Sequence, residues 1–391
     1  MKTALEILFF GSLGLVVYSQ AGYPLVLWVL TRFKRLRRVK RRPKPAAGWG
    51  RDPGGLPGPA DVSLIVAAHN EEDVIGARIS AAVASRSEVE GSLEVIVACD
   101  GCTDATAERA RAAGADLVLE LPRGGKVAAQ NAAVERAVGG LLAFSDANSD
   151  WRPGAMAKLA AAFADPEVAY ACGQLRLTGE RGNNQEGLYW RYELALRELE
   201  SRLAGITAGN GAIYMTRRDA YIHLDSAHSH DGSFPFLLAK RHRYSVYVRE
   251  AVAVEVMVPT LGGEFARKRR IMRPLWDVVV LGGMLSPLGY SPLYAFEVFS
   301  HRLLRYAAPL LHLVALAANV ALLGEGPLFA LALALQLALL AAAALAPLIP
   351  IAPFRIARYY VAVTASIVAG LWDRARLGPR SAGWEKAEGA R

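Results

Sequence analysis

The chain is poor in cysteine, with three in 391 residues. Cys99 and Cys102 are separated by two residues, but Cys172 is the only other cysteine, so a site of four thiolate ligands is excluded. The basic segment discussed below indicates that this part of the chain faces a reducing compartment, where disulfides are rare. We therefore disfavour a zinc or redox function for the Cys99/Cys102 pair.

The glycine-rich signatures of two common nucleotide-binding folds are also missing. Ala68-His69-Asn70-Glu71-Glu72 follows the first predicted strand, where a dinucleotide fold would have Gly-x-Gly-x-x-Gly. Gly124-Gly125-Lys126 lacks the P-loop spacing, which argues against a Walker-type site that cleaves nucleoside triphosphates. Lys126 nevertheless stands at a predicted helix start, where backbone N–H groups and an ammonium can bind an anion together.

Long apolar runs are absent from residues 61–259 but frequent at both ends of the chain. The overall hydrophobic content of 53% is high for a purely soluble protein, and the excess lies in Leu5 to Leu30 and Leu303 to Leu371. These ends are predicted to lie in lipid. The middle of the chain has the composition of a soluble α/β domain and is expected to carry the activity.

The first apolar segment predicts a retained transmembrane anchor over residues 1–31. It is too long for a signal peptide, lacks a small-residue cleavage pattern, and has its basic residues after the apolar segment. Residues 32–60 hold that basic cluster and a Pro/Gly-rich linker. The cluster accounts for much of the net charge of +9 and favours a cytoplasmic catalytic domain beside anionic lipid over a nucleic-acid partner.

The C-terminal apolar region, residues 301–372, predicts a transmembrane hairpin and one ambiguous segment. Leu303 to Leu323 and Pro327 to Leu348 are each long enough to cross a bilayer, with Gly324-Glu325-Gly326 between them. Tyr359 to Trp372 is short for a span, so it either crosses or lies in the interface, and the side of the polar tail, residues 373–391, depends on which. We expect a multi-pass protein of the cell membrane.

Residues 61–260 read as alternating strands and helices, which predicts an α/β fold whose mostly parallel sheet has helices on both faces. The predicted strands are Val62–Ala67, Leu93–Ala98, Asp116–Leu119 and Leu141–Ser145. The predicted helices are Glu71–Ser85, Asp104–Ala113, Lys126–Val138, Pro153–Phe163 and, as an amphipathic packing helix, Glu186–Leu203.

Acidic residues recur where these strands end, which is where parallel sheets bind ligands. Asp100 ends one strand, although it also fits an ordinary strand-to-helix turn. Asp146 and Asn148 flank Ala147, so their side chains can converge on a hard cation, or form an Asx turn. His230-Asp231 is a third candidate. His223, His228 and His230 are too irregularly spaced to favour a metal site over loop histidines.

The order of these motifs resembles the membrane-bound family 2 glycosyltransferases, relatives of the cellulose, chitin and hyaluronan synthases. The resemblance covers about residues 61–276. The motifs that carry it are Val66-Ala67-Ala68-His69-Asn70-Glu71, Asp100-Gly101-Cys102-Thr103-Asp104, Gly124-Gly125-Lys126, Asp146-Ala147-Asn148, Gly209-Asn210-Gly211-Ala212 and His230-Asp231. It implies a GT-A fold and an inverting hexosyltransferase that uses a nucleotide-sugar, we expect a UDP-sugar, in polysaccharide biosynthesis.

The resemblance also implies roles for individual residues. Asp231 would be the catalytic base, and Asp146 with Asn148 would bind Mg2+ or Mn2+, with an amide where the family has a second carboxylate. Gly209, Asn210, Gly211 and His230 would lie at the acceptor, which we expect to be a glycan or lipid-linked. The residues implied at the donor are His69, Glu71, Asp100, Lys126, Asp146, Arg267 and Arg270.

Two motifs depart from the family pattern. His230 stands where the family has a second acidic residue, and Arg267-Lys268-Arg269-Arg270-Ile271 lacks the Gln and Trp of Gln-x-x-Arg-Trp, which argues against processive extrusion. These arginines, in the predicted basic and interfacial region 261–300, could neutralise the leaving diphosphate or lie on anionic headgroups. The departures motivate an alternative function, a catalytically silent, nucleotide-sugar-binding membrane scaffold in an envelope polysaccharide assembly, with unidentified export or assembly partners.

Overall fold

The computed structural model describes residues 1–38, 61–178, 185–225, 228–256, 265–266, 269, 272–273 and 276–378. Within these ranges a mixed α/β domain lies between apolar helices from the two ends of the chain. The predicted fold class is confirmed: the domain is GT-A-like, and long apolar helices stand on both sides of it in sequence.

Eight strands form one sheet in the order β3-β2-β1-β4-β7-β6-β8-β5. Their bounds are β1 Val62–Ala68, β2 Leu93–Asp100, β3 Leu117–Leu121, β4 Leu141–Asp146, β5 Asp150–Trp151, β6 Val168–Thr178, β7 Ile213–Arg217 and β8 Tyr244–Val256. The first four strands are parallel to one another, whereas β7 is antiparallel to both of its neighbours and β5 is antiparallel to β8. β6 and β8 pair in parallel over most of their length.

Helices cover both faces of the sheet, as the alternation predicts. They are α3 Glu72–Ala84, α4 Thr106–Ala112, α5 Lys126–Arg136, α6 Ala155–Ala161, α7 Gln185–Leu203 and α8 His230–Lys240. Every residue of β1 is buried, and its successive side chains enter two different apolar clusters. Leu64 and Val66 face one cluster and Ile65 the other, which is the alternation expected of a strand covered on both sides.

The apolar ends of the chain form the remaining helices. These are α1 Lys2–Val17, α2 Tyr23–Arg38, α9 Pro292–Glu297, α10 Leu304–Ala321, α11 Pro327–Leu345 and α12 Ala352–Leu377. A π-helical turn, Tyr18–Gly22, joins α1 to α2, and another, Val298–Leu303, joins α9 to α10. Four segments are long and apolar enough to cross a membrane: Lys2–Phe33, Pro292–Ala321, Pro327–Leu345 and Ala352–Leu377.

The C-terminal spans differ in extent from their predicted bounds. The second candidate span begins at Pro292, upstream of the predicted start at residue 301. α12 is 26 residues long, far longer than the apolar stretch Tyr359 to Trp372, because charged residues at its end are paired within the protein. Arg374 Nε donates to Asp277 Oδ1 at 2.6 Å, and Arg269 makes two 2.6 Å hydrogen bonds to the carboxylate of Asp373.

α12 runs antiparallel to α10 and returns to the segment that follows β8. His312 Nε2 lies 2.7 Å from Tyr360 Oη, while Trp276 contacts both Tyr306 and the carbonyl of Ile367. The last turn of α12 is therefore held beside Arg269, Arg273 and Asp277, which follow the α/β domain in sequence.

Candidate active site

Two of the acidic strand ends flank the central strand β1. In the parallel register Ala67 lies opposite Asp146 on β4, and Ala68 lies opposite Cys99, the residue before Asp100 on β2. Because the carboxyl ends of parallel strands meet at one edge, His69, Asp100 and Asp146 lie along the same edge of the sheet. The structure thus brings these predicted residues together.

Asp100 organises the loop that precedes α5. Its side chain is buried, and Oδ1 accepts hydrogen bonds from the backbone N–H groups of Gly124 at 2.6 Å and Gly125 at 3.0 Å. Gly125 has a φ of 92°, a left-handed conformation that favours glycine. Asp100 therefore fixes the start of α5, and with it Lys126; its direct contact with a donor stays a prediction.

His69 lies at the mouth of this edge beside a basic residue that the sequence motifs did not single out. Its Nδ1 is 2.7 Å from the carbonyl of Asp100, and Arg123 Nη1 is 2.6 Å from the same nitrogen. Asn70, with a φ of 53°, accepts from the Thr103 N–H at 2.8 Å, and the Glu71 N–H donates to Thr106. The loops after β1 and β2 thus form one hydrogen-bonded rim, with a cationic side chain beside His69.

Lys126 is at the centre of the candidate site. Its Nζ forms an ion pair with Asp146 Oδ1, and the two side chains are 27% and 25% exposed. Burial lowers the pKa of Lys126, but the nearby carboxylates of Asp146, Asp231 and Glu255 outweigh it and raise the pKa above its ordinary value. Lys126 is therefore a fixed positive charge surrounded by three acidic residues.

Asp146 and Asn148 lie in a tight turn and not in an extended segment, since the Ser149 N–H donates to the Asp146 carbonyl at 3.2 Å; Ala147 is buried and Asn148 is exposed. Ser149 turns inward and hydrogen-bonds Glu255 on β8. Glu255 was missed by sequence reasoning because β8 lies about a hundred residues further along the chain, and only the pairing of β5 with β8 brings it here. Among the described residues, no group of three or more His, Cys, Asp or Glu side chains could hold a metal ion.

The loop Gly209–Gly211 borders the site on the side of Lys126. A Cβ on Gly211 would lie 3.2 Å from Lys126 Nζ, and a Cβ on Gly209 would overlap the hydroxyl of Tyr170. Asn210 is turned inward: its Nδ2 donates to the Gly173 carbonyl at 2.7 Å, and its Oδ1 accepts from the Ile213 N–H at 2.9 Å. Glycine is thus required by close approach, and Asn210 holds the loop in shape.

Asp231 is in the first turn of α8, whose N-cap Ser229 accepts from the Gly232 N–H. Its carbonyl accepts from the Gly209 N–H at 2.9 Å, which joins the start of α8 to the Gly209–Gly211 loop. A carboxylate at a helix N-terminus is stabilised by the helix dipole. The predicted base therefore lies beside the predicted acceptor loop and within electrostatic reach of Lys126.

His230 faces away from the solvent, into an aromatic cluster. It is 3% exposed, its Nδ1 lies 2.7 Å from Tyr214 Oη, and its ring stacks on Phe234. Burial, followed by the positive charge of Lys126 and by His223, lowers the pKa of His230 to about 3, so the imidazole is neutral at pH 7. Its contacts lie within the protein, and direct binding of an acceptor stays a prediction.

The basic residues after β8 are only partly described. Arg267 and Arg270, predicted at the donor, lie outside the described residues. Their neighbours contact α12: Arg269 pairs with Asp373, and Arg273 Nη2 donates to the carbonyls of Leu377 and Gly378 at 3.2 and 3.1 Å. Arg273 therefore caps the C-terminal end of that helix.

Cys99 and Cys172 are buried and Cys102 is half-buried. Cys99, Cys102 and Cys172 are free thiols. Burial, followed by the neighbouring Cys102, raises the pKa of Cys99 to about 12, which disfavours the reactive thiolate.

Comparison with known proteins gives three findings. Residues 63–225 match the family model described as glycosyl transferase family 2. An N-acetylglucosaminyltransferase of Rhizobium meliloti (strain 1021) is 26% identical over 308 residues, which cover 73% of this chain and 72% of that relative. A solved mannosyltransferase from Pyrobaculum calidifontis, in complex with GDP-Man and Mn2+, has a TM-score of 0.67 and 21% identity and covers 96% of this chain and 99% of its own.

Proposed function

The chain is a family 2 glycosyltransferase, and from that premise we propose a membrane-anchored, inverting enzyme that transfers a sugar from a UDP-sugar to a glycan or lipid-linked acceptor. The observation that carries the proposal is the convergence of Lys126, Asp146 and Asp231 beside Gly211 at one edge of the sheet. A cation paired with one carboxylate and within electrostatic reach of a second, next to a glycine-rich loop, suits a diphosphate on one side and a sugar on the other.

The donor would bind along the edge formed by His69, Asp100 and Lys126. The ammonium of Lys126 provides positive charge for a diphosphate. Arg123, beside His69, adds a second cation close to the predicted base pocket. Glu71, Arg267 and Arg270 complete the residues proposed at the donor.

Asp146 and Asn148 would hold Mg2+ or Mn2+. The donor set fits, because a carboxylate and an exposed amide oxygen at two positions of one tight turn are hard ligands of the kind these ions prefer. Two protein ligands leave positions for diphosphate oxygens. When bound, the ion would neutralise charge that develops on the departing nucleoside diphosphate. The Mn2+ in the complex of the Pyrobaculum calidifontis mannosyltransferase supports this proposal.

In the proposed reaction the Asp231 carboxylate accepts the proton of an acceptor hydroxyl. The acceptor oxygen forms a bond to the anomeric carbon while the bond from that carbon to the diphosphate oxygen breaks, so the anomeric configuration inverts. Lys126 keeps the Asp146 side chain oriented and remains protonated throughout. The neutral His230 lends no charge to Asp231.

The helices at both ends support membrane anchoring. With the basic residues that follow the first span on the cytoplasmic side, the α/β domain would face the cytoplasm, where nucleotide-sugars are made, and the protein would be multi-pass in the cell membrane. Membrane lipid would then be both an environment and a source of lipid-linked acceptor.

Release of nucleoside diphosphate by the detergent-purified protein tests the proposal. The donor panel should contain UDP-glucose, UDP-N-acetylglucosamine and GDP-mannose, each with and without Mg2+ or Mn2+, in the presence of membrane lipid extract. We expect release from UDP-sugars only, dependent on the divalent ion and lost in Asp231→Asn but kept in the matched surface variant Asp219→Asn, whose carboxylate is 69% exposed. Release from GDP-mannose alone would contradict the UDP assignment, and equal release by Asp231→Asn would contradict the base.

A further inference from the structure

A buried ionic cluster lies where the α/β domain meets the two spans that flank it in sequence. We call it the junction cluster, and its members are Tyr23, Glu193, Glu200, His301, Arg302 and Arg305. α2 contributes the tyrosine, α7 the two glutamates, and the π-helical turn with the start of α10 the three basic residues. None of these residues belongs to the candidate active site.

The carboxylate of Glu200 is the centre of the junction cluster and is fully buried. Its Oε1 accepts from Tyr23 Oη at 2.8 Å and lies 2.6 Å from His301 Nδ1. Burial acts to raise the pKa of Glu200, but His301 and Arg302 outweigh it and lower the pKa, so the group is a buried anion. Burying such a charge is costly unless it is fully paired, so the geometry around Glu200 is tightly determined.

Glu200 also reaches the loop that leads into the candidate acceptor site. Thr207 donates its N–H to Glu200 Oε2 at 3.2 Å and its hydroxyl to the same oxygen at 3.0 Å. Arg302 Nε donates to that hydroxyl at 2.8 Å. Two residues later, the Gly209 carbonyl accepts from Arg197 Nη2, also on α7, at 3.1 Å. The segment Thr207–Gly209 is thus tied to α7 and, through Glu200 and Arg302, to both spans.

Glu193 provides an internal comparison on the same helix. It is seven residues before Glu200, on the same face of α7, and it pairs with Arg305 and His301. Burial acts to raise its pKa, and Arg305 outweighs this and lowers the pKa well below its ordinary value. Glu193 therefore joins α7 to the second span with the same chemistry, and the partners it has among the described residues, Arg305 and His301, lie outside the 204–211 loop.

We propose that Glu200 is a positioning residue, which fixes the distance between the Gly209–Gly211 loop and the membrane spans. An acceptor that arrives from the membrane then lies within reach of the Asp231 carboxylate. The inference rests on the proposed function for its assignment of this loop to the acceptor. The Glu193–Arg305 pair fastens α7 to the second span, and Glu200 fastens it to the first span through Tyr23; Glu200 and Arg302 in addition bond Thr207 at the start of the loop.

The test compares Glu200→Gln with the matched control Glu193→Gln in the full-length protein in detergent. Hydrogen–deuterium exchange of residues 204–212 reports loop anchoring without requiring activity, and the acceptor KM and donor affinity report function. We expect Glu200→Gln to speed exchange in the loop and to raise the acceptor KM about tenfold, as for the loss of a charged hydrogen bond, with donor affinity unchanged. Glu193→Gln should alter neither quantity.

A second pair of variants keeps the inference testable if Glu200→Gln fails to fold. Thr207→Val removes the hydroxyl at constant shape and should reproduce the effects of Glu200→Gln, whereas Thr207→Ser keeps the hydroxyl and should restore wild-type values. Equal effects in Glu193→Gln and Glu200→Gln, or faster loop exchange with an unchanged acceptor KM, would overturn the inference. A wild-type protein that transfers no sugar would count against the proposed function instead, and unchanged loop exchange in Glu200→Gln would then still overturn the anchoring.

Discussion

The candidate active site and the junction cluster are both built from ion pairs, but the pairs differ in how far they are exposed to solvent. The side chains of Lys126 and Asp146 are 27% and 25% exposed, whereas those of His301 and Glu200 are 5% and 1% exposed. A partly exposed pair can exchange a partner for a ligand. A fully buried one cannot do so without leaving an uncompensated charge.

The comparison separates two uses of the same chemistry. In the active site the partly exposed Asp146 pairs with Lys126, and Asp231 and Glu255 lie within electrostatic reach of the same cation, so a ligand can compete for this pair. In the junction cluster His301, Tyr23 and Thr207 occupy the acceptor oxygens of Glu200. The first arrangement suits ligand binding and the second suits mechanical linkage.

The largest expected effect is that of Asp231→Asn, which tests whether the exposed carboxylates serve chemistry and not stability. Removal of a general base should reduce the turnover number by about 10²- to 10⁴-fold while donor affinity is kept. The carbonyl of Asp231, which holds the Gly209 N–H, is unaffected by the change, so the thermal unfolding temperature should stay within about 1–2 °C of wild type. If Asp231→Asn lowered the unfolding temperature markedly as well as the turnover number, the Asp231 carboxylate would serve stability and not chemistry.

The next effect concerns the proposed metal ligands, where one substitution should weaken Mn2+ binding and another should strengthen it. Asp146→Ala should weaken Mn2+ binding in the presence of nucleoside diphosphate by at least roughly 10- to 100-fold, a range found even for outer groups of metal sites. Asn148→Asp replaces the amide by a second carboxylate and should tighten Mn2+ binding. Electron paramagnetic resonance of free Mn2+ measures both without turnover. Unchanged Mn2+ affinity in both variants would remove these residues from the metal site.

Sequence reasoning worked best where structure is local. The four parallel strands and the helices between them were predicted to within a few residues, because each is a short apolar run or an amphipathic stretch bounded by a turn. β6, β7 and β8 were not predicted, because they pair with strands that are distant in sequence and include two register shifts. The predicted, mostly parallel sheet is therefore a mixed one.

The site shows the same division. Motif order correctly brought Asp100, Lys126, Asp146 and Asp231 to one region, since strand ends and helix starts can be read from sequence. The partners of these side chains could not be read, because they depend on tertiary packing: Asp100 on the Gly124 and Gly125 amides, and His230 on Tyr214. The junction cluster was missed because its glutamates were read only as part of an amphipathic helix.

A smaller effect is expected in the loop that lies between the two regions. A methyl group on Gly209 would overlap the buried Tyr170 hydroxyl, so Gly209→Ala should cost about 1–3 kcal/mol of stability and reduce activity. Adding Tyr170→Phe removes the clashing oxygen and should recover most of the loss, which a double-mutant cycle measures. Gly76→Ala, inside α3 where an added Cβ meets nothing within 4 Å, is the control and should keep activity and raise stability by up to about 1 kcal/mol. Absence of coupling between positions 209 and 170 would show that the glycine serves the ligand alone.

The smallest effect concerns His230, a buried and hydrogen-bonded side chain directly beside the candidate active site. The native pKa of His230 is about 3, against about 6.5 for an unfolded histidine, so the native state binds fewer protons and gains stability as the pH rises. That stability is present above about pH 6.5 and is lost at roughly 1.4 kcal/mol per pH unit as the pH falls towards 3. His230→Gln keeps a polar side chain without titrating, so its unfolding temperature should fall less than that of wild type between pH 7 and pH 4.5. The exposed His242, which has a φ of 56°, provides the control His242→Asn, and this variant should follow wild type. If the unfolding temperature of His230→Gln kept the full pH dependence of wild type, the buried imidazole would not be a neutral, fixed group. It would then not differ in kind from the exchangeable carboxylates next to it.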